Sequence, residues 1–258
     1  MKATHRLRTL VLSAALALST QVSAATFNDS FSSGLNATYW TVTEFHPGVA
    51  ASLYSVTTPS GQVHLERKPG FIGSGLQYVA VNLNLSALGG NIAGDFSTRI
   101  DFSNAVIALG GLNQVQLNAT FADGSFFLAV HDNDAGTVNN HVWYDVVSPF
   151  TGALAGKHND AADHGTFTIS RTGNVVTGSF NSTVLFSAND SSALTGIQFT
   201  LQNNLSNNAL ISANYDNFSL TAASVPAPIP EPETYAMLLA GLGLLGFASR
   251  RRKQKLAA

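Results

Sequence analysis

The feature that most constrains this chain is a period-two alternation of apolar and polar residues, which recurs through residues 25–221. Successive side chains of a β-strand point to opposite faces of a sheet, so each alternating run predicts a strand with one buried face. About a dozen runs follow at a spacing of roughly 8–12 residues, with tight-turn signals such as Asp123-Gly124 and Gly173-Asn174. No window shows a convincing 3.6-residue helical period. The pattern predicts one all-β domain, an antiparallel β-sandwich or jelly roll.

The N-terminal segment is typical of a signal peptide. A cationic start precedes an apolar stretch at residues 10–18, and Val22-Ser23-Ala24 is a small-x-small cleavage site. The charges of this start are Lys2, Arg6 and Arg8. The sequence therefore predicts export by the Sec machinery, removal of residues 1–24 by signal peptidase, and a folded domain over residues 25–224.

The C-terminal segment has three parts in a fixed order. Residues 225–233 form a Pro-rich linker, residues 234–249 are largely apolar, and residues 250–258 carry a cationic cluster. The fourteen residues from Tyr235 to Ala248 span roughly 21 Å as a helix, against a hydrocarbon core of about 30 Å. Long cationic side chains compensate by reaching the interface. These features predict a short transmembrane helix in residues 234–249 with its basic tail in the cytoplasm.

The order of these three parts resembles the PEP-CTERM sorting signal of Gram-negative bacteria that make extracellular polysaccharide. The matching residues are Pro230, Glu231 and Pro232 and the basic cluster Arg250, Arg251 and Arg252. The resemblance implies recognition by an exosortase, cleavage near the Pro-Glu-Pro motif, and transfer of a membrane-anchored precursor to the cell surface or extracellular matrix. The alternative is an ordinary C-terminal membrane anchor.

Charge and cysteine content exclude several functions. Between the two targeting segments, residues 25–229 contain five Lys and Arg against thirteen Asp and Glu, a formal charge of −8. Nucleic-acid binding requires clustered cations, so this composition argues against a nucleic-acid partner. The chain has no cysteine, which excludes thiolate metal sites and disulfides.

The domain also resembles concanavalin A-like lectin and glucanase domains. The similar segments are an opening Phe27-x-Asp29-x-Phe31 before a Trp-Thr-Val strand, residues 165–174, and the closing residues 214–218. Hydrolytic members of that fold carry a Glu-x-Asp-x-Glu strand motif, which this sequence lacks. A glycoside hydrolase needs two carboxylates flanking the scissile bond. The domain contains two glutamates, Glu44 and Glu66, and neither has a carboxylate two or four residues away. We therefore predict a non-catalytic protein.

Two polar segments are candidate metal sites. Asp132, Asn133 and Asp134 follow a predicted strand, and carboxylate and amide oxygens on a turn suit Ca²⁺. The alternative is a solvated hairpin loop that uses these residues for turn geometry. A second group has imidazoles and carboxylates suited to a transition metal, with an ordinary loop as the alternative. Its members are His158, Asp160, Asp163 and His164.

Trp143 and Tyr144 are the candidate ligand-binding aromatics, because they lie close in sequence to the Asp132–Asp134 segment. Aromatic rings stack on the apolar faces of sugars. Adjacent strand residues point to opposite faces, so one of the two is expected in the core. The same choice between core and site applies to Trp40, Tyr54 and Tyr78.

Together these patterns predict an exported, exosortase-sorted protein of the cell surface or extracellular matrix, associated with exopolysaccharide or biofilm. Two alternatives remain at this stage. One is a lectin-like carbohydrate-binding module, with or without Ca²⁺. The other is an unusual glycan-active hydrolase.

The sorting signal makes a direct prediction about the mature protein. Replacing both Pro230 and Pro232 by Ala removes the motif and should leave the precursor in the membrane. Intact mass of the wild-type surface protein should show loss of the residues beyond Pro-Glu-Pro. A mature chain that still ends at Ala258 contradicts exosortase processing.

Overall fold

A computed structural model describes residues 24–70, 75–108, 113–134, 137–145, 153–159, 162–204 and 210–222. The predicted signal peptide, Pro-rich linker, transmembrane segment and basic tail lie outside these residues. Within the described part of the chain, no helix combines the length and apolar character that a bilayer-spanning segment needs.

The described residues form fifteen β-strands and three short 3-10 turns. The strands are β1 Ala25–Asp29, β2 Trp40–Phe45, β3 Tyr54–Thr57, β4 Val63–Arg67, β5 Leu76–Leu83, β6 Phe96–Val106, β7 Gln114–Phe121, β8 Phe126–Asp134, β9 Thr137–Asp145, β10 Ala153–Asn159, β11 Gly165–Thr172, β12 Val175–Phe180, β13 Thr183–Asn189, β14 Leu194–Asn204 and β15 Ile211–Ala222. The 3-10 turns are Ala51–Leu53, Pro59–Gly61 and Leu85–Leu88.

The strands build two antiparallel sheets that pack face to face. The eight-stranded sheet has the order β13-β12-β11-β6-β15-β4-β3, and β1 also pairs with β15. The seven-stranded sheet has the order β10-β9-β8-β7-β14-β5-β2. A single apolar core lies between the sheets. The predicted all-β sandwich is therefore confirmed.

Period-two alternation produces this core. On β6, Phe96, Ile100 and Phe102 are buried, whereas Ser97 and Arg99 between them are exposed. Each strand thus gives one set of side chains to the core and the other to an outer face. The order of the sheets then decides which polar side chains become neighbours on the two outer faces.

The fully buried Tyr215 joins the two sheets by hydrogen bonds. Its ring belongs to β15 and packs on Phe199 at a centroid distance of 4.7 Å. Its hydroxyl donates to the Thr200 carbonyl oxygen at 2.8 Å and accepts from the Gln116 N–H at 3.2 Å. Burial raises the pKa of Tyr215, so the hydroxyl keeps its proton and remains a donor. It therefore fixes the eight-stranded sheet against β7 and β14.

The buried Arg171 holds a loop region at one end of the sandwich. Its guanidinium donates to the carbonyl oxygens of Ile92, Gly94 and Ser192 and lies 5.4 Å from the ring centroid of Phe96. Carbonyl dipoles and the ring face compensate the buried cation. Arg171 belongs to the 165–174 segment that carries part of the lectin-like resemblance, and its role here is structural.

Two local expectations differ from the structure. The Asp132–Asp134 segment is not a turn, because it continues β8 and pairs with β9. Residues 157–159, expected in a loop, belong to β10, which pairs with β9 and has a register shift between Leu154 and Gly156. Ala, Gly, Lys and Asn have low β-propensity, so pairing with the adjacent strand decides this conformation and local preference does not.

Replacing Tyr215 by Phe tests the inter-sheet bridge. The ring still fills the core, but the Gln116 N–H and the Thr200 carbonyl lose the hydroxyl. We expect the free energy of unfolding to fall by roughly 1–3 kcal/mol in urea titrations. Tyr39→Phe is the control, because Tyr39 packs on Phe27 at the edge of the core. Equal stability of the two variants contradicts the bridge.

Candidate functional site

The outer face of the seven-stranded sheet carries a row of amide side chains on its central strand. Val115, Leu117 and Ala119 of β7 point into the core, so the residues between them point outward. These outward residues are Gln114, Gln116 and Asn118, and we call them the amide row. They are spaced at i, i+2 and i+4, which is the spacing of the carboxylates in Glu-x-Asp-x-Glu.

Side-chain hydrogen bonds connect the amide row. Gln116 Nε2 donates to Gln114 Oε1 at 2.6 Å, and Asn118 Nδ2 donates to Gln116 Oε1 at 3.1 Å. The neighbouring strand β14 extends the network, because Gln202 Nε2 lies 3.3 Å from Gln114 Oε1 and Thr200 Oγ1 lies 3.2 Å from Asn118 Nδ2. A network of this kind holds its members in fixed orientations.

Two further properties bear on what the amide row can do. Gln114, Gln116 and Asn118 are only 4%, 1% and 3% exposed, so they form a floor beneath other side chains. Asn118 Oδ1 is buried without a hydrogen-bond donor. A buried acceptor without a donor is costly. An additional hydrogen-bond donor would therefore be most favourable at Asn118 Oδ1.

Acid–base chemistry has little support on this face. An amide does not titrate near neutral pH, so the amide row supplies neither a general acid nor a nucleophile. Among the side chains of this face that the structure describes, Asp132 is the one carboxylate, and it lies opposite Gln114 in the β7–β8 register. A pair of carboxylates is what glycoside hydrolysis needs.

An aromatic pair lies at one edge of the same face. Phe45 of β2 and Tyr78 of β5 are register partners and stack with ring centroids 5.6 Å apart. Phe45 is 46% exposed. Tyr78 is also the register partner of Gln202 on β14, and Gln202 is the register partner of Gln114 on β7. The aromatic pair and the amide row are therefore connected through one line of register partners.

A cavity of about 230 Å³ opens beside the other end of the amide row. Its polar lining includes Asn82, Thr195 and Gln198, and Gln198 is opposite Asn118 in the β7–β14 register. Gly196 also lines it, and a Cβ atom there would lie 2.4 Å from Thr120 Oγ1. The volume is below the roughly 300–1,000 Å³ of sites for drug-sized ligands, so it suits one small polar group.

The structure places the predicted calcium ligands Asp132, Asn133 and Asp134 at the end of β8. Adjacent strand residues point to opposite faces, so Asp132 and Asn133 do not converge. Asn133 Nδ2 instead donates to the Ile107 carbonyl oxygen at 3.1 Å. Among the described side chains, no three His, Asp or Glu residues are grouped closely enough to hold a metal ion. Calcium binding by the three residues stays a prediction.

The second predicted metal group is divided between strand and loop. His158 lies on β10, Asp160 is outside the described residues, and Asp163 and His164 lie just before β11. The exposed His164 Nδ1 is 3.0 Å from Asp163 Oδ1, and this hydrogen bond holds the pKa of Asp163 below its usual value. The pair is a local contact.

The predicted aromatic site residues have different outcomes. Trp143 and Tyr144 lie on β9, opposite Leu128 and Phe127 in the β8–β9 register, and their role in ligand binding stays a prediction. Trp40 and Tyr54 belong to the core. The predicted sorting residues Pro230, Glu231 and Pro232 and the basic cluster Arg250, Arg251 and Arg252 lie outside the described residues.

Sequence reasoning missed the amide row and Phe45 as site residues. The signal was present, because Gln-Val-Gln-Leu-Asn at residues 114–118 alternates amides with apolar residues. A search for paired carboxylates does not detect this pattern of amides. Phe45 lies shortly after the Trp-Thr-Val run, and only the pairing of β2 with β5 places it against Tyr78.

Comparison with known proteins identifies the tail and the fold. Residues 228–253 match the family described as the PEP-CTERM protein-sorting motif. No curated protein matches the chain. Because this motif is a sorting signal read by an exosortase, the chain is an exported protein whose membrane-anchored precursor is processed for the cell surface.

Solved structures share the sandwich at low sequence identity. The Bacillus licheniformis β-glucanase has a TM-score of 0.52 at 12% identity, covering 76% of this chain and 97% of its own. A prokaryotic β-1,3-1,4-glucanase (lichenase) from a mouse hindgut metagenome has 0.53 at 10%, covering 79% and 99%. The CBM2 module of the evolved Dit of Lactobacillus casei BL23 phage J-1 has 0.53 at 11%, covering 77% and 96%. These likenesses establish the glucanase- and lectin-type fold alone.

Replacing Asn118 by Asp tests whether the amide row must be neutral. Burial should raise the pKa of the introduced carboxyl. The unfolded chain then ionises at lower pH than the folded one, so stability should fall as pH rises above about 4. A pKa raised by about 2 units corresponds to roughly 2.7 kcal/mol at neutral pH. Thr120→Asp, at an exposed position of the same face, should lack this pH dependence in urea titrations. Identical profiles contradict the prediction.

Proposed function

We propose that the chain is a non-catalytic extracellular matrix protein that holds exopolysaccharide on the outer face of its seven-stranded sheet. The observation that carries this proposal is the amide row, a neutral, hydrogen-bonded floor on the central strand of that face. The sorting signal supports the location, because an exosortase substrate reaches the surface on which exopolysaccharide is deposited.

The chemistry of this face suits a sugar chain. The aromatic pair offers an exposed ring for the apolar face of a sugar, and polar groups beside it orient the hydroxyls. Asn82 and Gln198 line the cavity at the other end of the amide row and carry both donors and acceptors. The buried amides beneath them keep the face in one shape, which lowers the entropic cost of binding.

Charge favours an uncharged polysaccharide over an acidic one. The domain carries a formal charge of −8, so a polyanion would be repelled. A neutral chain has no such penalty, and amide and hydroxyl groups bind its hydroxyls without a counter-ion.

Three features support binding without hydrolysis. The Glu-x-Asp-x-Glu pattern is absent from the sequence, and β7 carries amides at the same spacing. Asp132 is the one carboxylate among the described side chains of this face. The glucanases share the fold at 10% and 12% identity, so their reaction does not transfer to this chain. The name of the lichenase nevertheless suggests β-1,3-1,4-glucan as a first probe.

Replacing Tyr78 by Ala tests the aromatic pair. Loss of the stacking surface should weaken retardation by β-1,3-1,4-glucan in affinity electrophoresis about tenfold, because roughly 1.4 kcal/mol of ring contact is lost. Val42→Ala is the matched control. Val42 is also exposed on β2, but it lies on the opposite face of the sheet from Phe45. Equal retardation of both variants rules out the aromatic pair as a binding element.

The same samples distinguish the other functions. New reducing ends after incubation would show a hydrolase and contradict the non-catalytic proposal. Retardation that a chelator abolishes would show Ca²⁺-dependent binding and support the Asp132–Asp134 prediction. Retardation unchanged by a chelator and without new reducing ends is the expected result.

A further inference from the structure

The outer face of the eight-stranded sheet carries a continuous row of hydroxyl side chains. Six register partners from six adjacent strands each have a Ser or Thr at this level of the sheet. We call them the hydroxyl row, and in strand order they are Thr26, Thr221, Ser97, Ser170, Thr177 and Ser187. With strands about 4.8 Å apart, the row extends across roughly 24 Å.

The hydroxyl row is accessible and uncharged. Thr26, Ser97 and Ser187 are exposed, and the other three side chains are half-buried. Two pairs bond laterally: Thr26 Oγ1 lies 3.1 Å from Thr221 Oγ1, and Ser170 Oγ lies 2.9 Å from Thr177 Oγ1. Hydroxyls donate and accept, so the row offers both kinds of group at regular spacing.

A cavity of about 340 Å³ adjoins the hydroxyl row. Its lining includes Asn28, Ser219 and Arg99, which are register partners two residues along β1, β15 and β6 from the row. The Arg99 side chain is 50% exposed. The arginines Arg67 and Arg171 are buried, so Arg99 is the accessible guanidinium among the described side chains.

The Asp29 carboxylate lines this Arg99 cavity, and Asp101 bonds two of the other lining residues. Asp101 Oδ1 accepts from Thr166 Oγ1 at 2.6 Å and lies 3.2 Å from Arg99 Nη2, while Asp101 Oδ2 accepts from Asn217 Nδ2 at 3.0 Å. Asn217 has a φ of 51° and lies in a β-bulge of β15. Bulges re-aim side chains, and this one places Asn217 on the cavity wall. Arg99 and Asp101 neutralise each other's charge.

We propose that the hydroxyl row and the Arg99 cavity form a second polysaccharide-binding surface, specific for an uncharged chain. The row is long enough to follow several sugar units, and the cavity receives one of them. Arg99 and Asn217 donate to its hydroxyl oxygens, and Ser219 donates or accepts. The identity of the polymer rests on the proposed function, whereas the surface itself is independent of the amide row.

Charge selects the occupant. The row has no charged side chain, Arg99 is paired with Asp101, and the Asp29 carboxylate gives the cavity a net negative formal charge, within a domain of formal charge −8. A polyanion would meet that net charge without a compensating cationic patch. A second copy of the chain would bring an equally polar face. Hydroxyl groups alone gain little free energy from excluding water, so such an interface would be weak. An uncharged, hydroxyl-rich polymer matches the surface.

The position of this surface has a consequence for the matrix. The two outer faces of a sandwich point in opposite directions, so one polysaccharide chain would not occupy both. With a chain on each face, a single protein would cross-link two polysaccharide chains. The protein would then strengthen a matrix without any enzymatic step.

Light scattering and affinity electrophoresis with β-1,3-1,4-glucan test this inference on protein purified from the cell surface. Wild type should be retarded and should increase scattering well above that of glucan alone. Ser97→Glu introduces a negative charge into the hydroxyl row, and Arg99→Ala removes the guanidinium from the lining of the cavity. Both variants should still be retarded but should lose at least nine-tenths of the added scattering. Thr183→Glu, an exposed residue of β13 away from the row, should behave as wild type.

The possible outcomes separate the two proposals. If Ser97→Glu and Arg99→Ala cross-link like wild type, or if wild type is retarded but never cross-links, the second surface is wrong and the proposed function stands. If Tyr78→Ala is retarded like wild type while Ser97→Glu is not retarded, the second surface stands and the aromatic pair is wrong. If the protein scatters equally without glucan, the row is an interface between copies and the inference fails.

Discussion

The hydroxyl of Tyr215 is the contact on which the geometry of the seven-stranded sheet depends. It comes from the inner face of the other sheet and bonds both β7 and β14, the two strands behind the amide row. The amide row and its neighbours Thr200 and Gln202 face outward from the same backbone. The side-chain network on the outer face therefore requires a fixed spacing between β7 and β14.

The proposed function rests on polar groups whose chemistry suits binding better than acid–base catalysis. The outward groups of β7 have the spacing of the Glu-x-Asp-x-Glu motif but are amides, and they hydrogen-bond one another. The accessible guanidinium of the described chain, Arg99, is paired with Asp101. The other two arginines, Arg67 and Arg171, are buried. Preorganised surfaces of this kind suit a hydroxyl-rich polymer, and the sorting signal marks the protein for export.

Much of the fold was predictable because the alternation is regular. For example, one of the alternating runs, residues 76–83, forms β5, and the sandwich follows from many such runs. β10 was missed because its pairing with β9 overrides weak local propensity. Asp132 was expected on a turn because Asp and Asn are typical turn residues, yet β8 continues through it. The amide row and the hydroxyl row depend on strand order and register, which alternation does not determine.

Binding without cleavage is tested most directly by an NMR titration of the isotopically labelled protein with a β-1,3-1,4-glucan oligosaccharide, which reports binding and cleavage in one sample. We expect the side-chain NH₂ signals of Asn82 and Gln198 to shift, with the anomeric signals of the oligosaccharide retaining their intact ratios. New reducing-end signals, or side-chain NH₂ signals that do not move at saturating oligosaccharide, would contradict binding without cleavage.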